Sequence, residues 1–181
     1  ADAPATQPET VIRQAQRKDA ETVFELIRAL AHFHGDQADF RATLQDVLRD
    51  GFGETPIYES WLLETEGKAQ GLATFFLTYS TFKGKPCLHL DNLFVRYNTR
   101  GQGIGKKLIA RVSLRALELN CWRMELHVHK RNSACVFYEK LGFSQSPDRV
   151  YFMSGEGLEL LGKGFPIDNI QAEGSSLTID V

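Results

Sequence analysis

At 181 residues, with 43% hydrophobic and 24% charged side chains, the chain has the size and composition of one globular domain with a sizeable core. A formal net charge of −2 supplies no basic field for nucleic acid, and no apolar run approaches the roughly 20 residues that span a bilayer. Cys87, Cys121 and Cys135 lack Cys-x-x-Cys spacing, which argues for free thiols in a reducing, cytoplasmic setting and against a structural zinc site.

Residues 1–10 carry no basic-then-apolar signal pattern and read as a flexible lead. Val11 to Gln14 suggests a short strand. Asp19 is placed to cap a helix whose apolar face is Val23, Leu26, Ile27, Leu30 and Phe33. Thr43 with Asp46 three positions on has the spacing of a capping box, for a helix that buries Leu44, Val47 and Leu48 and stops at Gly51. Gly51 to Pro56 is a loop. Strands follow at Tyr58 to Thr65 and Gln70 to Ser80, joined by a hairpin turn at Glu66-Gly67-Lys68. A second turn at Lys83-Gly84-Lys85 leads into a long strand, Cys87 to Arg96.

That strand runs into Arg100-Gly101-Gln102-Gly103-Ile104-Gly105-Lys106, a glycine-rich loop opening into a helix. Its bare amides and the positive end of the helix dipole make a seat for a diphosphate. Lys106 stands where both a P-loop and a dinucleotide fingerprint require glycine, so neither fits. The helix turns Ile104, Leu108, Val112, Ala116 and Leu119 inward and leaves Lys107, Arg111 and Arg115 for solvent. Arg123 to His129 is the next strand and Ser133 to Leu141 a short helix closed by Gly142; further strands are expected at Phe143 to Ser146 and Val150 to Met153. A strand, helix, strand order implies a parallel pair. The expected fold class is therefore α/β: a mixed sheet with antiparallel strands first, a parallel pair later, and helices on both faces. One domain is expected over residues 11–161, with a C-terminal extension, 162–181, that supplies an edge strand or stays mobile.

Arg-x-x-Gly-x-Gly at Arg100, Gly103 and Gly105 resembles the acyl-CoA pyrophosphate loop of the GNAT superfamily of N-acetyltransferases. Asn132 followed by Phe137-Tyr138-Glu139-Lys140 and Gly142-Phe143 is similar to the late helix of those enzymes. Leu48 to Glu54 and Tyr79 to Gly84 are similar to the spermidine/spermine (diamine) acetyltransferase branch. The resemblance implies acetyl-CoA as co-substrate and transfer of acetyl to an amine by direct attack in a ternary complex. It implies that the amides of Gly101 to Lys106, including Gln102 and Ile104, hold pyrophosphate with Arg100 at the rim. Backbone groups of Leu93 and Val95 would pair with pantetheine, an amide near Phe94 or Val95 would polarise the thioester, and Asn132 would bond the arm. Tyr138 would protonate the departing thiolate. Asp91 stands where the branch has a glutamate that, in that branch's scheme, deprotonates the amine through water, and is one methylene shorter.

In the polyamine-specific members an acidic residue follows the first helix, where this chain has His34, and a second acidic residue becomes Asn92. That favours a small amine, a lysine-like amino acid, thialysine or a short diamine, over a long polycation, with Glu54 and Asp50 as nearby negative charge. The resemblance also implies a homodimer. A non-catalytic acyl-CoA-binding module and a protein or peptide N-acetyltransferase remain the alternatives. His127-Val-His129 places two imidazoles on one strand face, but no third ligand has supporting spacing, so no metal is expected.

Overall fold

The computed structural model describes residues 9–164. The chain divides into two compact units, Ala1–Leu141 and Gly142–Val181. The first contains β1 (Thr10–Gln14), α1 (Ala20–His34), α2 (Leu44–Asp50), β2 (Glu59–Thr65), β3 (Lys68–Ser80), β4 (Lys85–Val95), α3 (Ile104–Glu118), β5 (Met124–Leu126) and α4 (Ala134–Lys140). The five strands form one sheet in sequence order, antiparallel from β1 to β4, with β4 and β5 parallel. This is the mixed sheet expected from the residue pattern.

Side chains alternate across a strand, so register assigns each face. Leu62, Leu72 and Phe94 are partners in register, and they form a buried cluster with Val23, Leu26 and Leu30 of α1 and Val47 of α2. Burying each such side chain is worth roughly 1.5–3 kcal/mol, which is what holds the first two helices on this face. On the opposite face, a Cβ at Gly71 would lie 2.8 Å from both Ile104 Cγ2 and Leu108 Cδ1. The missing side chain lets α3 lie directly on the sheet. Helices therefore cover both faces.

Local chemistry sets the element ends. Thr43 and Asp46 form the expected capping box, with Asp46 N donating to Thr43 Oγ1 at 3.2 Å and Thr43 N to Asp46 Oδ2 at 2.8 Å. The β2–β3 turn has φ of 51° at Glu66 and 71° at Gly67, the left-handed pair that suits a two-residue hairpin. Asp19 differs from expectation. Its carboxylate makes no cap bond to α1; it accepts from Arg13 at 2.7 and 2.9 Å, while Arg13 also donates to Glu64 at 2.6 and 3.0 Å. A buried carboxylate gains more from a guanidinium than from one amide dipole.

Three further expectations are corrected. Arg111 and Arg115 are not left to solvent: Arg111 stacks on Trp61 at 4.1 Å and Arg115 donates to Glu59 at 2.8 and 3.1 Å, both on β2 beneath α3. β5 is shorter than Arg123 to His129 because only Leu88–Leu90 offers it a ladder. In the second unit neither Phe143 to Ser146 nor Val150 to Met153 is a strand; Pro147 lies between them without an N–H for a ladder. Instead α5 (Gly155–Gly164) follows, which residue patterning did not suggest. The lead over residues 1–8 and the tail beyond residue 164 lie outside the described residues.

Candidate active site

β4 changes character at Asp91. From Leu88 to Leu90 it is paired on both sides, to β3 and to β5. Phe75 pairs with Leu90 and Thr74 with Asn92, so Asp91 is an extra residue, a bulge. The β4–β5 ladder ends at Leu90 and Leu126. Beyond it Leu93, Phe94 and Val95 remain paired only to β3, opposite Ala73, Leu72 and Gly71. An open strand edge results, on which alternate backbone groups can pair with an extended amide chain.

At the end of that edge lies the glycine loop. Gly101 and Gly103 have φ of 79° and 78°, the left-handed region in which a side chain is strained. Gly103 caps α3, and Lys107 N is bonded to its carbonyl at 3.0 Å. The amides of the turn before it, through Ile104, Gly105 and Lys106, have no intrahelical acceptor and sit at the positive end of the helix dipole. Gln102 is exposed in the same loop. Arg100 is held against the protein: Nε donates to Val95 O at 3.0 Å and the guanidinium lies 4.0 Å over the Phe33 ring and 5.7 Å from Tyr97. It thereby ties the loop to the end of α1, where exposed His34 is Phe33's neighbour.

α4 reaches the same place. The Phe137 ring is 3.3 Å from where a Cβ of Gly105 would stand, so the first turn of α3 and α4 are in contact. Tyr138, half-buried, meets the Phe137 ring at 5.3 Å. Burial, then nearby Cys135, pushes its phenol above the ordinary value of 10.0; at neutral pH the hydroxyl keeps its proton and is a donor. Asn132 Oδ1 accepts from Ala134 N at 2.9 Å, so its carbonyl serves the start of α4.

Asp91 and Asn92 project from the bulge together. Asn92 Nδ2 donates to Asp91 Oδ2 at 2.8 Å and to Thr74 Oγ1 at 2.7 Å. A carboxylate only accepts, so the amide nitrogen must be the atom facing it. Patterning read Asn92 as a lost substrate carboxylate and gave no sign of this brace, nor of Thr74. It also missed Tyr58. A Cβ on Gly51 would come within 2.9 Å of the Tyr58 ring and hydroxyl, so the phenol lies against the bare end of α2. Burial, then the negative charge of Asp50, Asp46 and Asp91, raises its pKa above 10.0. No local motif could reveal it, because those carboxylates come from separate segments. Glu54 lines an open recess of about 430 Å³ with Arg17, Gln45, Leu48, Arg49, Gly53 and Thr55. His127 and His129 do not share a strand: β5 ends at Leu126, and His129 Nδ1 accepts from Arg131 N at 3.3 Å. Among the described residues no group of three His, Cys, Asp or Glu could hold a metal, and no helix is long and apolar enough to cross a membrane.

Residues 20–143 match the acetyltransferase (GNAT) family. The chain is similar to the thialysine N-epsilon-acetyltransferase of Bos taurus, 31% identical over 84% of this chain and 98% of that protein. It superposes on an integron cassette protein from the mobile metagenome of V. cholerae with a TM-score of 0.71 at 25% identity, over 85% of this chain and 98% of that one. An aminoglycoside N-acetyltransferase in complex with CoA superposes with a TM-score of 0.68 at 22% identity, over 84% of this chain and 99% of that one, which shows the shared fold. With the match covering well over half its length, the chain belongs to the acetyltransferase (GNAT) family, enzymes that transfer acetyl from acetyl-CoA to an amine.

Proposed function

We propose that this enzyme acetylates the primary amine of a small molecule, a lysine-like amino acid such as thialysine or a short diamine, by direct attack on acetyl-CoA within a ternary complex. The observation that carries the reading is the bulge at Asp91, because it opens the strand edge and sets a carboxylate beside it in one step. The similarity to a thialysine acetyltransferase supports the substrate class.

The co-substrate would lie along the open edge. Loop amides from Gly101 to Lys106 bind its pyrophosphate, Leu93 and Val95 pair with the pantetheine amides, and the Asn132 NH2 donates to the arm. An amide near Phe94 or Val95 polarises the thioester carbonyl. Arg100 acts by holding the loop, given its bonds to Val95 and Phe33. An alkylammonium, with a pKa near 10.4, has almost no lone pair at neutral pH. Asp91, braced by Asn92, draws it in and orients the water through which its proton leaves, while Tyr58 and Asp50 line the approach. The neutral nitrogen attacks the thioester carbon, the tetrahedral intermediate expels the thiolate, and Tyr138 protonates it. His34 stands at the loop end of the site and Glu54 in the open recess, where Glu54 acts at most through its charge. The active form is a homodimer, which light scattering tests; a monomer that turns over removes that part.

Thiol release from acetyl-CoA, measured across thialysine, lysine, ornithine, spermidine and 1,4-diaminobutane, tests the function. Saturable release with at least one small amine is expected. Tyr138→Phe should lower kcat by roughly 10²-fold or more, with the acetyl-CoA dissociation constant unchanged by calorimetry. Equal kcat in the two proteins removes Tyr138 from the mechanism.

A further inference from the structure

One group of titratable side chains at the bulge has no part in the chemistry so far. Asp91 and His127 each occupy the first position past the last parallel pair, Leu90 with Leu126, so they stand on either side of the point where β4 and β5 part. His127 is exposed. Its ring meets the His89 ring edge-on, with centroids 4.8 Å apart and planes at 80°. His89 is buried, 8% exposed, and stacks on Phe76 at 4.8 Å. Its Nδ1 lies 3.8 Å from Glu125 Oε1. Glu125 is fixed in turn by Arg123 at 2.6 Å and Thr78 Oγ1 at 3.5 Å. A file of acid–base groups therefore runs from a half-buried carboxylate, through a buried imidazole, to an open imidazole that, like Asp91, stands one position past the ladder.

We propose that His127 is the base that finally receives the amine's proton, with His89 and Glu125 as positioning residues behind it; this rests on the function proposed above. In general chemistry an imidazole is a stronger base than a carboxylate by about 2.5 pKa units, so moving a proton off an ammonium is less uphill to an imidazole than to a carboxylate. Asp91 holds the ammonium and the water between them. One N–H bond of the ammonium breaks as an N–H bond forms on the His127 ring nitrogen through that water. The amine keeps the electron pair and attacks the thioester. The exposed imidazolium then gives its proton to bulk solvent, which returns the ring to its starting state. His89 and Glu125 orient the ring and offset the transient charge. The charged and titratable groups around His127 are Asp91 and His89 on β4 and Glu125 and Arg123 on and beside β5, with His129 two residues on.

The test uses the full chain with acetyl-CoA and thialysine, or whichever amine of the panel gives the fastest thiol release. His127→Ala should lower kcat by 10- to 100-fold, leave KM for acetyl-CoA unchanged, and shift the acidic limb of the pH–kcat profile. Because the position is open to solvent, added imidazole should restore kcat in proportion to its free base, which a structural role would not produce. Glu125→Gln should give a smaller loss with the same pH-limb shift. Thermal unfolding of His127→Ala and of the more conservative His127→Gln shows whether either is misfolded; the pH profile of the folded one then decides. Turnover within twofold of wild type, or a loss that imidazole does not repair in folded protein, overturns the proposal and leaves the acetyltransferase reading standing. A wild type that releases no thiol with any amine brings down that reading and this one together.

Discussion

The two halves of β4 are made of similar residues and do opposite work. From Leu88 to Leu90 the strand lies between β3 and β5, and all three side chains are buried. From Asp91 to Val95 it keeps β3 on one side only; Asp91 is exposed, and of the other four only Phe94 is buried. One inserted residue makes the difference. The doubly paired half stores stability, and the singly paired half leaves hydrogen-bonding backbone and a carboxylate open. A sheet cannot do both in the same place, because a ladder that satisfies every backbone group leaves none to recognise a ligand.

Substitutions in the two halves should therefore separate stability from activity. Leu88, fully buried, should cost about 2–5 kcal/mol when changed to Ala. Urea unfolding measures it; a loss under 1 kcal/mol would mean that the paired half is not the sheet's anchor. Asp91→Asn should do the reverse, with kcat/KM for the amine down about 100-fold and stability within about 0.5 kcal/mol of wild type. Comparable losses of stability in both variants would end the division of labour.

Away from β4, the Arg13–Asp19–Glu64 cluster should show fully paired structure failing in acid. Arg13 holds the Asp19 carboxyl below its ordinary value of 3.8. A lowered folded pKa means that its stabilisation is complete above the unfolded value and disappears as pH falls through the folded one. Asp19→Asn should thus lower stability at pH 7 by about 1–3 kcal/mol and flatten its decline below about pH 4, followed by chemical denaturation across pH. An identical acid profile in the variant would assign that decline to other groups.

The smallest effect is expected at Asn92→Ala. It removes the brace on Asp91, so kcat should fall roughly tenfold, about 1.4 kcal/mol, with KM for acetyl-CoA unchanged. Asn92→Gln should recover part of the loss only if its longer amide still reaches Asp91. Full activity in the alanine variant would show that Asp91 needs no support.

Much of this was legible along the chain. Apolar spacing of 3.6 residues, the Thr43–Asp46 box, the Glu66-Gly67 turn and the glycines at 101 and 103 are short-range signals, and each specifies its element within a few residues. The strand, glycine loop, helix order also sufficed to anticipate the parallel pair and the family. Long-range pairing was not legible. Which residue of β4 would bulge, that Asn92 would lean on Thr74 eighteen residues away, that Arg115 would cross to Glu59, and that Tyr58 would face carboxylates from α2 and β4 depend on register between distant segments. The same is true at the chain's later end, where Val150 to Met153 has strand-forming residues but no ladder. A residue's own chemistry sets the local backbone, whereas its neighbours across the sheet are chosen by the whole core, and catalytic geometry is made of those neighbours.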